Sequence, residues 1–199
     1  MNPSRKTFLK GCITGAVLTT VVPAVVGLLL LLAFKETFIR YKQKELTAPP
    51  IPFGEKADYG WSLLDKDGNK VPFSLFEGKP IFLHFWHPDC TICASEIEAV
   101  NALWEKVKTL DVAFLCVTWT EQAELNGAIA ARGIRYPTYL LNGGRPAVFQ
   151  NPGTPNTYIV AANGDIVFKY LGGAKWDADV VFNYLLSLTR PASGTPAQP

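Results

Sequence analysis

"FWHPDCTICASEIEAV", residues 85–100, leaves an apolar run, turns through His-Pro-Asp, and passes from Cys90 to Cys93 into a helical pattern. Just upstream, "PIFLHFW" (80–86) is short, apolar and rich in β-forming residues, as expected of a strand buried on both faces. Downstream, Ile97, Val100, Leu103, Trp104 and Val107 recur at three- and four-residue spacings, the stripe of an amphipathic helix. The cysteine pair therefore lies at a strand-to-helix junction. The unpaired N–H groups of a first helical turn, together with the helix dipole, favour negative charge there. In such motifs a thiol pKa falls from about 8.5 into the range of roughly 3.5 to 7.5, which makes Cys90, the exposed first sulfur, the candidate nucleophile. Its attack on a partner disulfide gives a mixed disulfide, and Cys93 then resolves it, leaving a Cys90–Cys93 redox disulfide.

Three other readings compete. A zinc site needs two more ligands at comparable spacing, yet the sequence has no second CxxC, and its only histidines are His84 and His87. Copper(I) held by two thiolates is the more plausible metal form. A purely structural disulfide over two intervening residues closes too small a loop to stabilise much by chain entropy. A peroxidase of similar fold wants Thr or Ser three residues before the reactive cysteine, where this chain has His87.

The 199-residue chain is long enough for one domain and an appendage. Its 19 Lys and Arg against 17 Asp and Glu leave a net charge of +2, which gives no reason to expect nucleic acid as a partner. Four cysteines (Cys12, Cys90, Cys93 and Cys116) are too few for a disulfide-built scaffold. "WSLLDKDGNKVPFSL" and "YIVAANGDIVFKYLG" read as hairpins, because Asp-Gly and Asn-Gly supply the positive φ that tight turns need. "VAFLCVTW" is a second buried strand, which makes Cys116 a small buried hydrophobe. "EQAELNGAIAARG" is a helix ending at Gly133, and "DADVVFNYLLSL" is a further helix. Strands alternating with helices imply an α/β fold with a mixed sheet.

Residues 11–34 carry no charged side chain and as a helix would span roughly 36 Å, enough to cross a bilayer. The run is too long for the apolar part of a cleaved signal peptide, and "LLAFKE" lacks an exit site. Pro23 interrupts it, and Cys12 is a small apolar residue within it. Arg5, Lys6 and Lys10 precede the span while Lys35, Arg40, Lys42 and Lys44 follow it. A short basic leader before an uncleaved apolar helix favours a cytoplasmic amino terminus. The expected organisation is a leader (1–10), a transmembrane anchor (11–34), a polar and proline-rich linker (35–51), a domain (52–190) and a flexible tail (191–199).

"GKPIFLHFWHPDCTIC", its helix, and "NPGTPNTYIVAANGDIVFKYLGG" resemble the thioredoxin superfamily, and within it the membrane-anchored, extracytoplasmic branch typified by TlpA, ResA and the cytochrome c maturation thioredoxins. The likeness covers nearly all of 52–189, including the hairpin before the first core strand and an inserted helix before "RYPTYLL". It implies a thioredoxin-like fold, a central mixed sheet flanked by helices. It also implies a cis bond between Thr154 and Pro155 that places their loop beside Cys90, where the family docks its partner's backbone. Glu96 matches a carboxylate that tunes thiol ionisation in this branch; read from the residues alone, it is a solvated first-turn glutamate. Trp86 matches the aromatic residue that shields the site. His84 stands where relatives carry a buried Asp or Asn, and is either a candidate proton relay to Cys93 or a satisfied core residue. Two departures stand out. The helix has Glu98 where the family has a kinking proline, and Thr91-Ile92 is an uncommon spacer.

The sequence is thus read as a membrane-tethered thiol:disulfide oxidoreductase on the outer face of a bacterial inner membrane, with its catalytic domain periplasmic. Cys90, Cys93, Pro155 and Glu96 are the expected catalytic set, with Trp86, Thr154 and Pro155 as the partner-binding residues. No cofactor or resident metal is required. Expected partners are protein thiols and disulfides (an apocytochrome c or another secreted protein), a transmembrane electron donor or acceptor, and the lipid bilayer. The alternative is a copper or haem-pathway chaperone that holds a ligand on the same thiols.

Overall fold

The computed structural model describes residues 23–32 and 54–189, and the chain divides into two units, 1–42 and 43–199. In the first, residues 23–32 are helical, with Pro23 the first described residue. No helix among the described residues is long and apolar enough to cross a membrane. Most of the anchor expected over 11–34 lies outside the described residues, as do Cys12, the leader, the linker and the tail.

The second unit carries one seven-stranded sheet. Its strands are β1 (Ser62–Leu64), β2 (Lys70–Pro72), β3 (Ile81–Phe85), β4 (Ala113–Thr118), β5 (Thr138–Asn142), β6 (Asn156–Val160) and β7 (Ile166–Leu171). The helices are α1 (Thr91–Val107), α2 (Gln122–Arg132) and α3 (Asp179–Leu188), with short 3-10 turns at Phe73–Phe76 and Ala147–Phe149. The strand order is β2-β1-β5-β4-β3-β6-β7, with β3, β4 and β5 parallel to one another and the remaining pairings antiparallel.

Local chemistry sets both hairpins. In the first, Asp65 Oδ1 accepts from the backbone N–H of Asp67 and of Asn69, each at 2.9 Å, and Gly68 takes φ +83°. In the second, Asn163 Oδ1 accepts from Asp165 N–H at 3.0 Å and Gly164 takes φ +84°. Helix α2 stops at Gly133, whose φ of +63° supplies the left-handed cap. Helix α1 runs unbroken for 17 residues, consistent with Glu98 in place of a kinking proline.

Side chains of the central strands alternate between two cores. Phe82, Phe114, Cys116 and Ile159 face one; Ile81, Leu83, Phe85, Leu115 and Val117 face the other. The buried hydrophobic residues of all three helices fall in the first core. Right-handed crossovers explain this for α1 and α2, because β3, β4 and β5 advance in one direction across the sheet. The expectation of helices flanking the sheet is refined accordingly: the opposite face is closed by Trp61, Phe73, Phe149 and Tyr158, with contacting ring centroids 4.5 to 6.0 Å apart. The result is a thioredoxin-like α/β fold with its cysteine pair at the carboxyl end of a central strand.

Candidate active site

Cys90 is the N-cap of α1, and its Sγ accepts the backbone N–H of Cys93 at 3.1 Å. That N–H belongs to the first turn and has no partner within the helix, so the arrangement favours negative charge on Cys90 Sγ. In this structure the two sulfurs are joined in a disulfide, with Cα atoms 5.2 Å apart. Cys90 is half-buried whereas Cys93 is only 2 % exposed, so an incoming partner meets Cys90 first. The Thr154–Pro155 bond is cis, and the Thr154 carbonyl oxygen lies 3.8 Å from Cys90 Sγ. Pro155 is buried, and its carbonyl accepts the N–H of Gly172 at 2.8 Å, tying the loop to the end of β7.

The surroundings are apolar and open. Ile92 is 36 % exposed, Trp119 44 % and Leu171 50 %. Glycines let two of these lie close against backbone: a Cβ on Gly173 would sit 2.8 Å from Ile92 Cγ2, and one on Gly153 would sit 2.8 Å from Leu171 Cδ1. Trp86, by contrast, is 1 % exposed and packs into the core behind the cysteines. It backs the site, and Trp119 is the tryptophan that faces outward.

Beneath the pair lies a polar cluster within the first core. Glu96, one turn beyond Cys93, is 1 % exposed, which overturns its reading as a solvated glutamate. Its Oε2 accepts from Trp176 Nε1 at 2.8 Å and from Ala174 N–H at 3.1 Å. Its Oε1 lies 3.3 Å from His84 Nε2 without a well-aligned hydrogen bond. His84 Nδ1 is 2.8 Å from Thr157 Oγ1, and β3 places His84 opposite Cys116 on one side and Thr157 on the other. His84 is thus buried, hydrogen-bonded at Nδ1 and close to the Glu96 carboxyl group at Nε2. Trp176 and Thr157 were missed as members of this cluster, because nothing local in sequence ties position 176 to position 96.

Cys116 is fully buried; burial pushes its thiol well above the usual range, and the Glu96 carboxylate pushes the same way. The folded chain therefore holds this proton at a pH where the unfolded chain has released it, so ionisation of Cys116 favours unfolding. Stability is expected to fall above about pH 8.5, by up to about 1.4 kcal/mol per pH unit from this group. Urea titrations of wild type and Cys116→Ala between pH 7 and 10 check this: the variant should show a shallower decline, and parallel declines would refute it. Among the described residues, no group of three or more His, Cys, Asp or Glu side chains is placed to hold a metal ion.

A model of the AhpC/TSA family matches residues 54–169. The thiol-disulfide oxidoreductase ResA of Bacillus thuringiensis subsp. konkukian is 22 % identical over 149 residues, spanning 73 % of this chain and 84 % of its own. ResA of Halalkalibacterium halodurans is 27 % identical over 129 residues, 60 % of this chain and 69 % of its own. Among solved structures, a secreted Mycobacterium tuberculosis disulfide oxidoreductase homologous to E. coli DsbE aligns with a TM-score of 0.54 at 16 % identity, over 66 % of this chain and 99 % of that one. That last likeness is one of fold.

Proposed function

This chain belongs to the AhpC/TSA family and is a ResA-like thiol:disulfide oxidoreductase, and from that premise we propose that Cys90 and Cys93 exchange disulfides with extracytoplasmic proteins from a membrane tether. The observation that carries the reading is the seat of Cys90: half-buried, with Sγ on the first-turn N–H of Cys93 and the Thr154 carbonyl alongside. In the reducing direction the Cys90 thiolate attacks one sulfur of the partner disulfide and the other leaves as a thiolate. Cys93 gives up its proton and attacks Cys90 Sγ, releasing the second partner thiol. Two electrons pass to the partner, whose leaving thiolates are protonated from Glu96 and solvent, and the Cys90–Cys93 disulfide remains. The reverse sequence oxidises a dithiol by the same atoms.

Residues around the pair have assignable parts. The bend at Thr154 and Pro155, just before β6, offers backbone to a partner strand, and the collar of Ile92, Leu171 and Trp119 offers apolar contact. Glu96, with His84 beside it, takes up the Cys93 proton during resolution. The uncharged run 11–34 behind a basic leader supports tethering in the bacterial inner membrane with the domain in the periplasm. Partners then come from secreted proteins, with apocytochrome c a candidate, and a transmembrane donor or acceptor resets the pair.

Insulin reduction by the full-length protein, with dithiothreitol as reductant, tests the exchange reading against ligand holding. The expected result is catalytic precipitation of insulin that tracks protein concentration. Negligible turnover combined with stoichiometric, tight copper(I) uptake would favour a chaperone instead.

A further inference from the structure

A cleft of about 570 Å³ adjoins the cysteine pair, lined by Trp119, Arg145 and the loop 150–154. Arg145 is the one cation among the described residues that line it. The guanidinium carbon sits 4.0 Å from the ring centroid of Phe85, the last residue of β3, and 5.0 Å from that of Trp119. Half-buried, it has no carboxylate partner among the described residues. Burial pulls its pKa below the ordinary value, with Tyr158 acting in the opposite sense. A desolvated cation without a counter-ion is costly, and a guanidinium stacked on two rings leaves its planar fork of N–H donors free for a carboxylate.

The loop that forms the cleft is fixed in place. Tyr158 donates from its hydroxyl to the Phe149 carbonyl at 3.0 Å, Asn156 Nδ2 donates to the Tyr158 hydroxyl at 3.0 Å, and Gln150 Nε2 donates to the Arg145 carbonyl at 3.1 Å. The cleft ends at Thr154, whose carbonyl is 3.8 Å from Cys90 Sγ. A polypeptide whose cysteine is bonded to Cys90 advances about 3.3 Å per residue when extended, so its next two or three residues lie over the cleft.

We propose that the Trp119–Arg145 cleft is a specificity subsite that takes the carboxylate of an Asp or Glu near the reacting cysteine of a partner polypeptide. The proposal rests on the exchange reading above and names the partner's chemistry. The collar of Ile92, Leu171 and Trp119 extends the contact beyond what a small thiol can cover, which favours a polypeptide over a free carboxylate-bearing thiol.

The test uses reduced full-length protein and one peptide carrying its cysteine as a mixed disulfide with a chromogenic thiol. Glu, Gln or Lys is placed two residues before or two residues after the cysteine. At low ionic strength the Glu peptide is expected to react about tenfold faster than the Gln peptide on at least one side, with Lys slowest. The preference should shrink to within about twofold in Arg145→Gln, persist in part in Arg145→Lys, and weaken with salt. Equal rates for Glu and Gln on the wild-type protein overturn the proposal without any variant having to fold. So does a Glu preference that survives Arg145→Gln, or a mixed disulfide of N-acetylcysteine reacting as fast as the Glu peptide. Failure of every peptide, Gln included, would instead indict the exchange reading itself.

Discussion

Cys90→Ser is expected to lower the rate of protein disulfide reduction by about a thousandfold or more, because a serine hydroxyl at neutral pH supplies almost no anionic nucleophile. The partner variant, Cys93→Ser, should do something different. Cys90 keeps its seat on the first turn of α1, so attack proceeds, but nothing remains to break the resulting bond, and a mixed disulfide accumulates. Non-reducing electrophoresis of intact cells expressing Cys93→Ser should show partner adducts that vanish on adding reductant and are absent from Cys90→Ser. Burial predicts the asymmetry: Cys93, at 2 % exposure, cannot be reached by a folded partner when Cys90 is gone. Equal trapping by the two variants would show that the roles are reversed or shared. Run with a membrane-impermeant alkylating reagent, the experiment also reads topology, since Cys90 should react from outside the cytoplasm if residues 11–34 anchor the chain as proposed.

Much of this arrangement is legible in the sequence, and the reasons differ by element. Gly68 and Gly164 are unambiguous because only positive φ closes those turns, and Gly133 ends its helix for the same reason. Of the stripe Ile97, Val100, Leu103, Trp104 and Val107 on α1, Trp104 is half-buried and the other four are buried. By the same periodicity Glu96 adjoins that stripe, yet a lone carboxylate near a helix start is more often solvated. Its burial depends on Trp176 and Ala174, some 80 positions away, and no local pattern announces such a contact. Strand order was hidden as well. β5 lies between β1 and β4, which brings the amino-terminal hairpin to the side of the sheet away from the cysteines' neighbour β6, and only tertiary pairing reveals this. Trp119 read as the end of a buried strand, whereas β4 stops at Thr118 and leaves the ring exposed against Arg145.

Glu96→Ala is expected to cost about 2–6 kcal/mol of stability, because two buried donors lose their acceptor at roughly 1–3 kcal/mol each. The size follows from what is stranded: Trp176 Nε1, the Ala174 N–H and His84 Nε2 all lose the oxygen they face, at 1 % exposure, where water cannot replace it. Urea denaturation at unchanged m-value reads the loss directly. Glu96→Gln should cost only about 1–2 kcal/mol, since an amide oxygen still accepts from Trp176 and Ala174. That milder variant separates two roles that the alanine change confounds. If Glu96 takes the proton from Cys93, an amide cannot, and resolution of a preformed mixed disulfide on Cys90 should slow about a hundredfold at pH 7 and recover as rising pH ionises Cys93 without help. Stopped-flow release of a chromogenic thiol from the Cys90 adduct measures that step alone. Wild-type resolution rates in a folded Glu96→Gln protein would reduce Glu96 to a structural acceptor for Trp176, and would shift the search for the proton's destination to solvent at the Thr154 side of the pair.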